Sequence, residues 1–283
     1  MSYFLLPVCA VVFAWWFSTG VILMLARAEG RAGQVGFIAM TLAAVCALGA
    51  LPTLSGTMTA AGVYGGFAAA LIIWGWHELA FLRGVVTGVR QAAMPRGLSG
   101  WSRFRAAFET VVHHELALVA TLALVWLLGH AGAGHGGENF TVLGVLTVLW
   151  AMRISAKLNI FLGVPSAAED FLPHRLAYLK TYFRISRISP LMPFSIAASC
   201  AAAIVLGVAI GDAASGSATV ISLTLCLTLV LLGLLEHLML ALPLSETALW
   251  RWAMDTAPKH SSSPRATPTA PLVGRRAPAS EHI

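Results

Sequence analysis

The chain has 283 residues, of which 58% are hydrophobic and only 11% are charged. Soluble domains carry about 25% charged residues, and several apolar runs here reach the roughly 20 residues that a helix needs to cross a bilayer. This composition excludes a soluble globular protein and indicates an all-α, polytopic transmembrane helical bundle. The net charge of +6 does not indicate a nucleic-acid partner, because the basic residues follow the membrane topology.

Seven apolar segments predict about seven spans within a transmembrane domain of residues 1–254. We place the spans at residues 3–25, 35–54, 59–82, 107–129, 140–162, 191–210 and 218–242. No basic residues precede the first segment and no cleavage site follows it, so it is predicted to be a retained helix. Residues 255–283 are rich in Ser, Pro, Thr, Ala and Arg without apolar periodicity, which predicts a disordered cytoplasmic tail.

Lys and Arg residues alternate between the two ends of the predicted bundle. Sixteen of the 18 basic residues lie after spans 1, 3 and 5 or in the tail, whereas the connections after spans 2, 4 and 6 contain none. The positive-inside rule therefore predicts a periplasmic N-terminus and a cytoplasmic C-terminus in a bacterial inner or intracytoplasmic membrane.

One basic connection has a helical apolar pattern. In residues 171–185, Leu172, Leu176, Leu179 and Phe183 recur at α-helical spacing, with basic residues between them. This pattern predicts an amphipathic helix lying on the cytoplasmic membrane surface.

Ionisable and amide side chains interrupt four of the spans. Such groups are costly in hydrocarbon and mark functional or tightly paired positions. The predicted topology places all of them roughly 5–15 Å from the cytoplasmic boundary, so we expect one intramembrane polar layer. Its members are His77, Glu78, His113, His114, Glu115, Arg153, Lys157, Asn159, Glu236 and His237.

Four interpretations of this layer remain open on the residues alone. Ion pairs between the glutamates and Arg153 or Lys157 could fix helix packing. Histidine could instead ligate a pigment, with the cations holding a carboxylate or phosphate. A carboxylate–histidine relay could move protons or ions. Lastly, facing helices could build a metal site, for which the candidates are His77, His114, Glu115, Glu236 and His237.

The metal interpretation meets two difficulties. Adjacent His and Glu residues point about 100° apart on a helix, unlike the i, i+3 ligand pairs of di-iron bundles. Arg153 and Lys157 would also repel a metal ion unless they pair elsewhere.

Several strings in the spans resemble a known family. The chain is similar to the PuhE family (photosynthetic complex assembly protein 2) over about residues 4–252. The strings that carry the likeness are Trp15-Trp16-Phe17-Ser18-Thr19-Gly20, Trp74-Gly75-Trp76-His77-Glu78-Leu79, His114-Glu115-Leu116, Met152-Arg153-Ile154-Ser155-Ala156-Lys157-Leu158-Asn159, Phe161-Leu162-Gly163-Val164, Glu236-His237, Leu242-Pro243-Leu244 and Ala248-Leu249-Trp250-Arg251-Trp252.

The resemblance implies a membrane factor that assists assembly of the photosynthetic reaction centre and its core light-harvesting complex. It implies partners among reaction-centre or core-antenna subunits, other assembly factors and membrane lipid. No cofactor is assigned; bacteriochlorophyll or its precursor is the first candidate, and iron is the second. The alternative is a di-iron-like metalloenzyme acting on a tetrapyrrole or a lipid. The resemblance assigns no catalytic residues.

Overall fold

The computed structural model describes residues 2–56, 58–132, 139–167, 169–242 and 249–254. Seven of its helices are long and apolar enough to cross a membrane, which confirms the predicted helical bundle. The α-helices are α1 (Ser2–Arg27), α2 (Gly30–Ser55), α3 (Ala60–Leu82), α4 (Gly100–Phe108), α5 (Val112–Gly132), α6 (Thr141–Leu162), α7 (Met192–Asp212), α8 (Ala218–Ala241) and α9 (Arg251–Met254). The predicted disordered tail lies outside the described residues, and the orientation of the termini stays a prediction.

Helices α3 and α8 form the centre of the bundle. In their most apolar windows, 61% and 50% of residues are buried, against 11% in α7. Helix α3 packs against α1, α2, α5, α6 and α8. At Gly233, a Cβ atom would lie 2.6 Å from the Met152 side chain. A glycine at this position therefore lets α8 approach α6 closely.

The fourth spanning helix begins at Val112 and not at Ala107, where the apolar run begins. A separate short helix, α4, precedes it. At the junction, Glu109 pairs with Arg90 and Arg105, both at 3.0 Å. Hydrogen bonds from Arg90 and then from Arg105 hold the pKa of Glu109 below its usual value. This local charge pairing ends α4 and separates it from α5.

The predicted amphipathic helix at residues 171–185 is wrong in type and in placement. The segment forms two 3₁₀ helices, Glu169–Phe171 and His174–Tyr182. A 3₁₀ helix has three residues per turn, which brings Leu176, Leu179 and Tyr182 into one buried row. The row packs into the end of the bundle, in one apolar cluster with the ends of α1 and α3. The segment is therefore part of the folded bundle, not a helix resting on lipid.

The chain returns to α1 after α8. The Trp16 indole donates to Leu249 O at 3.0 Å, and the Trp250 indole donates to Trp16 O at 2.9 Å. Trp252 packs over Gly20, where a Cβ atom would overlap its ring. Residues 249–254 are thus docked on the first span.

Replacing Gly20 with leucine should loosen this contact. Overpacking of this kind costs about 1–3 kcal/mol, so the docked segment should open roughly 5- to 150-fold more often. Trypsin cleavage after the exposed Arg251, followed by mass spectrometry on the purified protein, measures the opening.

Gly49→Leu is the matched control for this prediction, because no atom lies within 4 Å of a Cβ built at Gly49. Equal cleavage rates in the two variants would contradict the docking.

Candidate functional site

Two ion pairs connect three helices in the predicted polar layer. Arg153 and Lys157 lie four residues apart in α6, so they share one helix face. Arg153 Nη2 lies 3.1 Å from Glu78 Oε2 of α3, and Lys157 Nζ lies 2.6 Å from Glu115 Oε1 of α5. We call Glu78, Glu115, Arg153 and Lys157 the ion-pair cluster.

The two pairs differ in their surroundings. The Glu115 side chain is 9% exposed, and its second oxygen accepts a hydrogen bond from the Trp150 indole at 3.2 Å. Its partner Lys157 also lies 5.4 Å from the centre of the Phe81 ring. The Arg153 side chain, by contrast, is 44% exposed. The first pair is therefore internal, whereas the second reaches the bundle surface.

Two histidines lie beside the cluster, between α3 and α5. His77 Nε2 is 2.9 Å from Thr121 Oγ1, and the His77 and His114 rings are 6.3 Å apart. His114 is fully buried against Phe81, with ring centres 4.8 Å apart. Within the described residues, neither His114 ring nitrogen, nor His77 Nδ1, nor Glu78 Oε1 has a hydrogen-bond partner. Buried polar atoms of this kind cost about 1–3 kcal/mol each, so this part of the bundle retains hydrogen-bonding capacity that its packing does not use.

Asn159 and His237 belong to a second group, a hydroxyl network at the ends of α6, α7 and α8. His237 Nε2 lies 2.8 Å from Ser155 Oγ, which donates to Ser195 Oγ at 2.9 Å. Asn159 donates to Ser195 Oγ at 2.9 Å and accepts from Ser189 Oγ at 2.6 Å. This network connects three helices and has the character of a packing device.

The remaining predicted residues make no hydrogen bond or ion pair with either group in the described part of the chain. Glu236 accepts a hydrogen bond from the Trp15 indole at 3.1 Å and interacts electrostatically with Arg153. His113 is exposed in the first turn of α5. The structure thus divides the predicted layer into the ion-pair cluster with two histidines, the hydroxyl network, and these two separate residues.

Sequence reasoning missed the neutral partners of these groups. They are Trp15, Thr121, Trp150, Ser155, Ser189 and Ser195. Serine, threonine and tryptophan are ordinary in membrane helices, so their presence alone carries little signal. One signal was present for Ser155: it precedes Asn159 by four residues, which places both on one face.

Three of the five metal-site candidates are engaged in other contacts. Glu115 binds Lys157, Glu236 binds the Trp15 indole, and His237 binds Ser155 and Gly233 O. Over the ranges that the structure describes, no three His, Cys, Asp or Glu side chains are grouped so that they could hold a metal ion. The donor set present here does not fit a di-iron centre, and no reaction step is assigned to one.

A family model and a bacterial relative each align with almost the whole chain. A family described as "Protein of unknown function (DUF3623)" matches residues 1–261. The chain belongs to this family. An uncharacterized 30.4 kDa protein in the puhA 5′ region of Rhodobacter capsulatus is 34% identical over 274 residues, which cover 93% of this chain and 94% of the relative. No solved structure matches the chain. The DUF3623 match includes the ion-pair cluster, the hydroxyl network and the docked segment at residues 249–254.

Proposed function

We propose that this chain is an inner-membrane factor that assists assembly of the photosynthetic reaction centre and its core light-harvesting complex. The observation that carries the proposal is the relative in the puhA 5′ region, which is 34% identical along nearly the whole chain. The resemblance to the PuhE family supports the same pathway. The clients on this proposal are reaction-centre or core-antenna subunits, together with other assembly factors in the same membrane.

Arg153 is the residue that the geometry favours for contact with a client. Its guanidinium lies within a membrane-spanning helix, yet 44% of the side chain is accessible. Among the residues that the structure describes, it donates one hydrogen bond, to Glu78, whereas a guanidinium carries five N–H donors. Unused donors at membrane depth favour a polar partner, since lipid tails supply none. A carboxylate or carbonyl group on a neighbouring transmembrane helix or on a pigment has the required chemistry.

A bacteriochlorophyll ligated by His114 does not fit the packing. The imidazole is fully buried, and Phe81 covers it. A macrocycle could reach this histidine only if α3 and α5 separated. The proposal therefore places the client contact at the surface around Arg153 and leaves His77 and His114 as internal hydrogen-bonding groups.

The double substitution Glu78→Gln with Arg153→Gln should test the contact without leaving one charge unpaired. In a photosynthetic bacterium that depends on this chain, we expect assembled reaction centre to fall about tenfold or more. A loss of that size corresponds to about 1.4 kcal/mol of client binding. The amount of this protein in the membrane should stay unchanged. Absorption spectra of membranes measure the complex, and immunoblotting measures the protein.

His113→Ala is the control, because His113 is exposed and contacts no member of the cluster in the described residues. It should preserve both readouts. If reaction centre falls only in proportion to the protein, the ion-pair cluster fixes packing and does not bind a client. If deletion of the whole chain leaves reaction-centre levels unchanged, the assembly role itself is wrong.

A further inference from the structure

A second polar site lies at the end of the bundle, away from the ion-pair cluster. A cavity of about 590 Å³ opens between the start of α4, the end of α6 and the segment after the longer 3₁₀ helix. Its walls include Ser99, Gly100, Arg103, Phe161, Thr181 and Arg184. Because Phe161 and Leu162 are the last residues of spanning helix α6, the cavity lies at the membrane boundary.

Two arginines, Arg103 and Arg184, line this cavity. The first is positioned by side-chain contacts and the second by its backbone. Arg103 donates to Phe161 O at 3.0 Å and to Tyr182 O at 3.2 Å, with its guanidinium 4.0 Å from the Phe161 ring centre. These contacts fix the guanidinium plane and leave three of its five donors free. The Arg184 backbone is bound to Ile160 O and to the Val164 amide. In the described part of the chain, the Arg184 side chain makes no hydrogen bond or ion pair.

The charge around the cavity has one sign. Burial lowers the pKa of Arg103, and the nearby charge of Arg184 lowers it further. The nine residues that line the cavity include no acid. Two cations kept close together without a carboxylate between them favour an anion as their partner.

The first turn of α4 adds backbone donors to the same wall. Ser99 is its N-cap residue, but the Ser99 side chain makes no capping hydrogen bond. The amide groups at a helix start carry a partial positive charge and bind anions when no side chain caps them. The N-terminal end of this nine-residue helix therefore lines the cavity, as do Arg103 and Arg184.

We propose that the cavity binds a phosphate group, carried by a phospholipid headgroup or by a soluble phosphate compound. Several oxygens on one anion match the two guanidinium groups and the amides of α4, and a carboxylate would fill less of the volume. Exposed apolar residues follow two of the lining residues in the chain. Trp101, after Gly100, is 76% exposed and packs against Phe104, and Ile185, after Arg184, is 55% exposed. Tryptophan at the membrane boundary is typical of an interfacial contact. This site is independent of the assembly proposal, since it shares no residue with the ion-pair cluster.

Binding to the purified full chain tests the proposal with two probes. The first is short-chain phosphatidylglycerol, with the matching diacylglycerol, which has no phosphate, as the reference lipid, followed by native mass spectrometry. The second is inorganic phosphate, followed by calorimetry. Arg184→Gln should weaken binding of the responding probe about tenfold or more, the loss of one charge-assisted contact. Arg187→Gln removes the same charge from an exposed residue outside the cavity and should leave binding unchanged.

The two probes distinguish a lipid phosphate from a soluble one. Arg184-dependent binding of phosphatidylglycerol alone assigns a lipid headgroup, and Arg184-dependent binding of inorganic phosphate assigns a soluble compound. Failure of both probes to bind would overturn the site. An equal loss in the two variants would also overturn it, because attraction to total positive charge would then explain the binding. Circular dichroism checks that both variants keep their helix content.

Discussion

Replacing Lys157 with methionine is expected to lower the free energy of unfolding by about 3–5 kcal/mol, because it leaves a buried carboxylate without its cation. Glu115 is only 9% exposed, and Lys157 Nζ lies 2.6 Å from it. Methionine is unbranched and nearly as long as lysine, but it supplies neither the charge nor the ammonium contact with the Phe81 ring. Denaturant unfolding in mixed micelles, followed by circular dichroism, measures the loss.

A second lysine provides the matched control for this substitution. Lys180 lies 4.0 Å from Glu169, with both side chains 37% exposed, and exposed pairs contribute about 1 kcal/mol or less. Lys180→Met should therefore change stability little. Adding Glu115→Gln to Lys157→Met should restore most of the lost stability, since the unpaired charge disappears. If Lys157→Met and Lys180→Met cost the same, the internal pair does not hold α5 to α6.

The sequence predicts one level for the polar residues, and two ion pairs bring four of them together, but their partners were not predictable. Topology placed the glutamates and the two cations of α6 at one level, because each lies a few residues from a span end. Which glutamate each cation meets depends on how α3 and α5 rotate about their axes. In continuous apolar sequence, little marks that rotation, since lipid and neighbouring helices both accept apolar side chains.

Adjacent histidines illustrate the same limit. His113 and His114 are equivalent in sequence, yet one is exposed and the other fully buried. Consecutive helical residues point about 100° apart, so only one of them can face α3. The helix break before Val112 determines which histidine is buried. There the His114 amide donates a hydrogen bond to Thr87 O at 2.9 Å. That break depends on the charges around Glu109, which the apolar pattern of the span did not reveal.

The segment after α6 shows where periodicity misleads. The apolar residues of 171–185 fit an α-helical spacing and also contain a strict three-residue row of Leu176, Leu179 and Tyr182. The shorter period prevailed because that row fills the end of the bundle, with Leu176 only 2% exposed. Arg175 adds hydrogen bonds to Ala26 O and Arg83 O, both at 3.3 Å. Tertiary packing selected between two patterns that the sequence allows equally.

Replacing Asn159 with leucine is expected to cost about 3 kcal/mol, because it removes the centre of the hydroxyl network. Asn159 is fully buried and donates to Ser155 O and Ser195 Oγ while accepting from Ser189 Oγ. The Ser189 hydroxyl in turn accepts from the Leu191 amide at 3.2 Å, just before α7 begins. Without the amide side chain, buried hydroxyls lose their partners and the start of α7 loses its attachment to α6. Hydrogen exchange at residues 189–192 should therefore accelerate together with the loss of stability.

The control for Asn159 is an amide that is exposed in α2. Gln34→Leu makes a comparable polar-to-apolar change at a position where the described structure shows no side-chain partner. It should leave both stability and exchange nearly unchanged. Loss of stability without faster exchange at residues 189–192 would mean that Asn159 stabilises the contact of α6 with Ser195 of α7 but not the segment just before α7.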